Sequence, residues 1–322
     1  MPEGIADRVA RAIESHVFPG CVIGVVRGGE RSVTPFGTIR YDRAERVREN
    51  TIYDLASVTK SIPLASLASI LVGEGKFSLS DGVKKYLPEL HNDYDATVED
   101  LLRYRVHGTR LSSLLFETSG ELQAAIFERG FSAPPGEPRY SNLPAYLLGL
   151  IVERATATTL PALAQTYFFD PLEMRDTTFF PGESSRVAPT EVVGGEEIRG
   201  VVHDESARVF AKEKRAVGHA GLFSTAPDVL RFLAALLHGN DPQVVSAAES
   251  SLGWQVSDPH FMGRFVGPKT FGKTGFTGTS VVVDTKRSIG FVILSNRTYP
   301  KRPQGDSMIF EFRRDIADIL LE

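Results

Sequence analysis

A chain of 322 residues with 42% hydrophobic and 24% charged residues can bury one large core or two smaller ones, which excludes a disordered segment. A formal net charge of −4 leaves no basic footprint for nucleic acid. The single cysteine, Cys21, excludes an internal disulfide and a cysteine metal cluster, and within its apolar run it reads as a small buried hydrophobe.

The first element is an amphipathic helix, with Ile5, Val9, Ile13 and Val17 at helical spacing among Glu3, Asp7, Arg8, Arg11 and Glu14. No apolar signal core or membrane-length run precedes it. Either the protein works in the cytoplasm or an export signal has been removed, and the Met1-Pro2 start favours a cytoplasmic protein with no membrane span. Residues 21–26 and 31–36 read as two strands joined at Gly28-Gly29, a hairpin on which the first helix can pack. Residues 57–72 are apolar or small all round, so they predict a central buried helix, ended by Gly73 and Gly75 and loosened or kinked at Pro63.

Residues 79–239 are mostly helical in pattern, with loops such as Ala133-Pro134-Pro135-Gly136 and Phe180-Pro181-Gly182. Strand character returns at residues 270–273, 280–284 and 289–295, with Thr285-Lys286-Arg287 as the turn between the last two. A closing helix covers residues 306–321. This order predicts a sheet domain of residues 1–72 and 245–322, a mainly helical domain of residues 73–244 inserted in it, and an active site between them.

Three short motifs occur in order: Ser57-Val58-Thr59-Lys60, Tyr140-Ser141-Asn142 and Lys273-Thr274-Gly275. A serine hydroxyl needs a base within hydrogen-bond reach to become a nucleophile. On a helix, residues three apart face each other, which brings Lys60 to Ser57. Lys60 acts as a base only if burial or a second cation, for which Lys273 is the candidate, lowers its pKa. Tyr140 supplies a phenol to relay the proton, and Asn142 an amide to hold a substrate carbonyl. Taken alone, Ser-x-x-Lys is equally a helix-capping serine followed by a solvated lysine.

Two competing patterns fail on local grounds. Gly267-Pro268-Lys269-Thr270-Phe271-Gly272-Lys273-Thr274 matches a phosphate-binding loop, with Val281-Val282-Val283-Asp284 as its apparent partner strand. Such a loop must open a helix, yet Gly275-Phe276-Thr277-Gly278-Thr279 is turn and strand material, and the gap to Ser280 is too short for a parallel crossover. His203-Asp204-Glu205 and His219 match no zinc spacing, so no metal and no cofactor is expected, and His219 reads as part of a glycine-flanked loop that shapes the site. No G-x-S-x-G occurs.

Together the motifs resemble the serine β-lactamase and penicillin-binding-protein superfamily, in particular its class C-like branch with D,D-peptidases and esterases. The likeness continues through Pro135-Gly136-Glu137, Leu147-Leu148-Gly149, Asp170-Pro171-Leu172-Glu173-Met174, Val202-His203-Asp204-Glu205 and Gly218-His219-Ala220-Gly221-Leu222-Phe223-Ser224-Thr225. It implies an α/β (α+β) fold with an antiparallel sheet flanked by N- and C-terminal helices and an inserted all-helical domain. It also implies catalysis by Ser57, Lys60 and Tyr140, substrate binding by Asn142, Lys273, Thr274, Gly275 and Phe276, and an oxyanion hole of the Ser57 and Phe276 backbone N–H groups. Many relatives in this branch have His where Lys273 stands, and Lys leans towards recognition of a substrate carboxylate.

Two departures bear on the substrate. Leu101-Leu102-Arg103-Tyr104-Arg105-Val106-His107-Gly108 replaces the common Leu-Leu-Thr-His-Thr-Ser-Gly stretch, so the cleft wall of residues 103–110 differs. The Ser-Asp-Asn and Glu-x-x-Leu-Asn elements of class A enzymes are absent, leaving Tyr140 and Lys60 for deacylation. The expected activity is two-step acyl transfer from a small-molecule or peptide substrate, a D-amino-acid peptide or β-lactam bearing a carboxylate. A carboxylesterase with the same machinery and a penicillin-binding sensor that never turns over are the alternatives.

Overall fold

The computed structural model describes residues 3–42 and 45–322. Met1 and Pro2, on which the expected location rested, lie outside the described residues. The elements that frame the site are α1 (Ile5–Glu14), β1 (Gly20–Arg27), β2 (Glu30–Gly37), α2 (Ser66–Gly73), α3 (Leu143–Thr156), α4 (Glu205–Lys212) and α5 (Ala226–Leu237). They are followed by β3 (Gln255–Val256), β4 (Thr270–Thr274), β5 (Ser280–Asp284), β6 (Ile289–Ser295) and α6 (Ser307–Leu321).

The six strands form one sheet in the order β2-β1-β6-β5-β4-β3, with every neighbour antiparallel. Register is set by pairs such as Cys21 with Ser295, Ile289 with Asp284 and Lys273 with Val281. Side chains alternate across a strand, and β1 and β6 divide accordingly. Cys21, Ile23, Val25, Phe291 and Ile293 pack against Ile5, Val9, Phe312 and Ile316 of the two terminal helices. Val22, Val26, Val292 and Leu294 face the larger core with Leu230 and Leu233 of α5. A Cβ on Gly24 would stand 2.9 Å from Leu230, so the bare backbone there lets α5 lie close on the sheet. Cys21 is fully buried, and burial pushes its thiol well above the usual range, the state of an inert packing residue.

The central segment departs from a continuous helix. Ala56–Lys60 forms a tight 3₁₀ turn, Ser61–Ala65 a wide turn, and only α2 is regular. Ile62 leaves helical geometry at φ −113° and ψ 109°, as a residue before proline is biased to do. The segment is buried, with Ile62, Leu64, Leu67 and Leu71 wholly inside the larger core. The mainly helical stretch also carries a short hairpin, Glu191–Val193 with Glu196–Ile198. Phe223–Ser224 pairs with Tyr53–Asp54, tying the loop that holds His219 to the approach to Ser57.

Candidate active site

Asp54 shapes the turn that delivers Ser57. Its Oδ1 accepts the backbone N–H of Ala56 at 2.8 Å and its Oδ2 that of His203 at 2.7 Å. Ala56 then takes a left-handed conformation, φ 48°, a costly geometry outside glycine that the surrounding contacts must hold. Burial raises Asp54 to about 6 despite those two hydrogen bonds.

In the 3₁₀ turn, residues three apart eclipse, and Lys60 Nζ donates to Ser57 Oγ at 2.8 Å and to the His219 carbonyl at 2.6 Å. Lys60 is 1% exposed, and burial lowers its pKa to about 7, with Asp204 acting the other way. The depression therefore comes from burial, the first of the two causes anticipated, and not from Lys273. The cationic effect runs in the other direction: Lys273 falls to about 8, first through burial, with Lys60 adding to it and Tyr140 opposing.

Burial of the Tyr140 phenol raises its pKa, with Lys273 and the neighbouring Ser57 side chain pulling it back. The residue as a whole is 55% exposed, yet its phenol end lies in the buried part of the site with Ser57 and Lys273 as neighbours. Its ring lies 5.2 Å from Lys60 Nζ and 4.7 Å from Lys273 Nζ. Burial raises the phenol and lowers the Lys60 amine towards neutrality, so the amine is the stronger candidate for the base and the phenol for the relay.

Lys273 is held in β4 and buried, with its Nζ 4.9 Å from the Tyr104 ring and 3.4 Å from the Tyr104 hydroxyl. It thus lies between two aromatic rings, a favourable place for an ammonium. Tyr104 comes from the divergent 103–110 stretch, so that stretch reaches the centre of the site. Because Lys273 stands inside a strand followed by a turn, no helix N-terminus is present for a nucleotide phosphate.

The segment carrying Phe276 is clamped to the segment carrying Ser57. Thr277 and Thr279 donate their hydroxyls to the carbonyls of Asp54 and Leu55 at 2.7 and 2.9 Å. A Cβ on Gly275 would lie 2.4 Å from the Leu55 carbonyl oxygen and 2.1 Å from Thr279 Oγ1, so only glycine allows this approach. Phe276 is exposed and stacks on His203. Ser57, Tyr140, Lys273, Thr274, Gly275 and Phe276 line one cavity of about 470 Å³. Asn142 lies on the far side of Tyr140, lining a neighbouring chamber.

Asp204, to which the sequence motifs assign no role in the site, is the hub beneath Asn142. Its Oδ2 accepts from Asn142 Nδ2 at 3.0 Å, and its Oδ1 accepts from Ser206 Oγ and the Ala207 N–H and lies 3.2 Å from His219 Nε2. Burial opposes the charge, but His219 and the donated hydrogen bonds hold this carboxylate well below the usual range. His203 bonds instead to Glu191. The hub joins Asn142 to His219, whose backbone carbonyl holds Lys60. Nothing in the local sequence around Asp204 signals a partner 62 residues away.

Asp204→Asn is expected to slow acylation, because Asn142 and His219 both lose a charged partner. Asp204 favours the charged form of Lys60, so removing its charge moves the acidic limb of the pH–rate profile to lower pH. A purely structural loss would lower the rate without moving that limb.

The chain belongs to the Beta-lactamase family, whose model matches residues 5–310. It is 27% identical over 332 residues to an Escherichia coli (strain K12) protein described as "Putative D-alanyl-D-alanine carboxypeptidase", covering 85% of this chain and 76% of that one. Among solved structures it is similar to EstCE1, a hydrolase with promiscuous acyltransferase activity, with TM-score 0.76 and 19% identity over 99% of this chain and 97% of that one. A class C β-lactamase crystal structure superposes with TM-score 0.76 at 18% identity, over 98% and 96% of the two chains. At those identities the two structures speak to the fold: the antiparallel sheet with flanking helices is that of β-lactamases and their esterase relatives.

Proposed function

We propose that the protein is a serine hydrolase that works through an acyl-enzyme on Ser57, of β-lactamase or D,D-carboxypeptidase type, with an amide substrate that bears a carboxylate. The observation that carries this reading is the 2.8 Å contact between Ser57 Oγ and a lysine whose pKa burial lowers to about 7. Ser57 Oγ attacks the carbonyl carbon as its proton passes to Lys60, and the Oγ–C bond forms. The backbone N–H groups of Ser57 and Phe276 stabilise the resulting oxyanion. The C–N bond then breaks as the proton returns through Tyr140 to the leaving nitrogen. Water, activated by the same pair, cleaves the acyl–Ser57 ester. Asn142 holds the acyl-side amide, and Lys273 and Thr274 meet the carboxylate.

One observation favours a carboxylesterase as the second reading. Lys273 is 1% exposed and boxed between Tyr104 and Tyr140, a position from which it tunes the site's electrostatics as readily as it anchors a carboxylate. A panel of nitrocefin, a neutral p-nitrophenyl ester and a D-Ala-D-Ala peptide tests the pair, and turnover of the ester alone would overturn the amidase reading.

Lys273→Ala sharpens the distinction. A charge-assisted hydrogen bond contributes about 1.5–3 kcal/mol, so kcat/KM for an anionic substrate is expected to fall by roughly one to two decades, while a neutral ester loses much less. Equal losses on nitrocefin and the neutral ester would make Lys273 an electrostatic tuner and favour the esterase.

A further inference from the structure

Tyr140 divides the cleft. Beyond it, on the Asn142 side, lies a chamber of about 370 Å³ whose walls include His107, Arg110, Arg139 and Ser141. Among the described residues no carboxylate lines it. Arg103 and Arg105, on the same divergent stretch, are neutralised by Glu99 and Asp100. In contrast, the exposed guanidinium groups of Arg110 and Arg139 have no ion-paired or hydrogen-bonded partner among the described residues. The buried hydroxyl of Ser141 on the same wall is likewise unpartnered. In a chain of net charge −4, two open guanidinium groups among the residues lining one chamber, with Arg139 also bordering the Ser57 cavity, suit an anion, and planar guanidinium suits a carboxylate.

We infer that this chamber is an acyl-side subsite that accepts a carboxylate-bearing acyl group through Arg110 and Arg139. The inference rests on the acyl-transfer reading for its geometry: an acyl amide held by Asn142 continues away from Ser57 into this chamber. With Lys273 on the leaving-group side, the substrate class is a doubly anionic acyl donor. The divergence of residues 103–110 then has a chemical meaning, since it supplies Tyr104 to one side of the cleft and Arg110 to the other.

The test compares glutaryl and pentanoyl donors that share one leaving group and one chain length. In the wild-type protein the glutaryl donor is expected to have the larger kcat/KM, by roughly threefold to tenfold for each guanidinium, with the preference shrinking as salt is added. R110A/R139A brings the ratio close to one, and R110K/R139K keeps part of it. A wild-type ratio of one, or a ratio that the double alanine variant leaves in place, overturns the subsite. Calorimetry on Ser57→Ala protein, with and without R110A/R139A, compares binding of glutaryl-D-Ala-D-Ala and pentanoyl-D-Ala-D-Ala without chemistry. A binding difference that depends on the arginines while wild-type protein is acylated by neither donor would uphold the subsite and sink the acyl-transfer reading. Equal binding of the two peptides overturns the subsite whatever the turnover.

Discussion

Ser57→Ala is expected to abolish turnover and covalent labelling by a fluorescent penicillin while leaving the fold intact. The loss of rate is on the order of 10⁶, the scale seen when a nucleophile is removed from a cooperating catalytic set. The fold survives because Ser57 is only half-buried and Lys60 retains the His219 carbonyl as an acceptor. Intact mass after incubation with the penicillin reads the adduct directly. Labelling that persists in the alanine variant would move the nucleophile to another residue.

Lys60→Arg is expected to slow acylation by about two to four orders of magnitude, the range of general acid–base catalysis. Arginine keeps the positive charge but does not deprotonate at working pH, so the variant separates the role of base from that of cation. The pH dependence follows from the same groups. On the proposed mechanism the neutral amine of Lys60 is the base, so acylation is expected to rise as pH passes about 7. Burial brings Lys273 down to about 8, so a substrate anchored by its ammonium is expected to lose rate again as pH rises through that value. Anionic substrates should therefore give a bell with limbs near these values, and neutral esters only the rising limb. Near-wild-type acylation in Lys60→Arg would assign the base to Tyr140.

Much of this frame is legible in the sequence because its signals are local. The strands at 280–284 and 289–295 are continuous apolar runs around a charged turn, and β5 and β6 occupy those same residues. The two residues of β3 escape notice because so short a pairing leaves no period to read. The helix expected at 57–72 breaks at Ile62, next to Pro63 where a kink is expected, and the stretch before it winds as a 3₁₀ turn that the apolar pattern alone does not signal. Ser57 and Lys60 meet as their spacing requires, since that contact spans a single turn. Asp204 and Tyr104 stay hidden: their meaning lies in Asn142 and Lys273, which only the folded chain brings to them.

His219 touches the site twice, through its carbonyl on Lys60 and its ring beside Asp204. Redesign of this protein therefore meets two kinds of position. Changes in the 203–219 region are expected to perturb Lys60 and Asn142 together, since His219 contacts Lys60, Asp204 contacts Asn142, and the two contact each other. Arg110 and Arg139 stand outside that linkage, on the wall of the chamber beyond Tyr140. Selection for a new substrate is expected to collect its first tolerated mutations there, with the chemistry carried over unchanged from one specificity to the next.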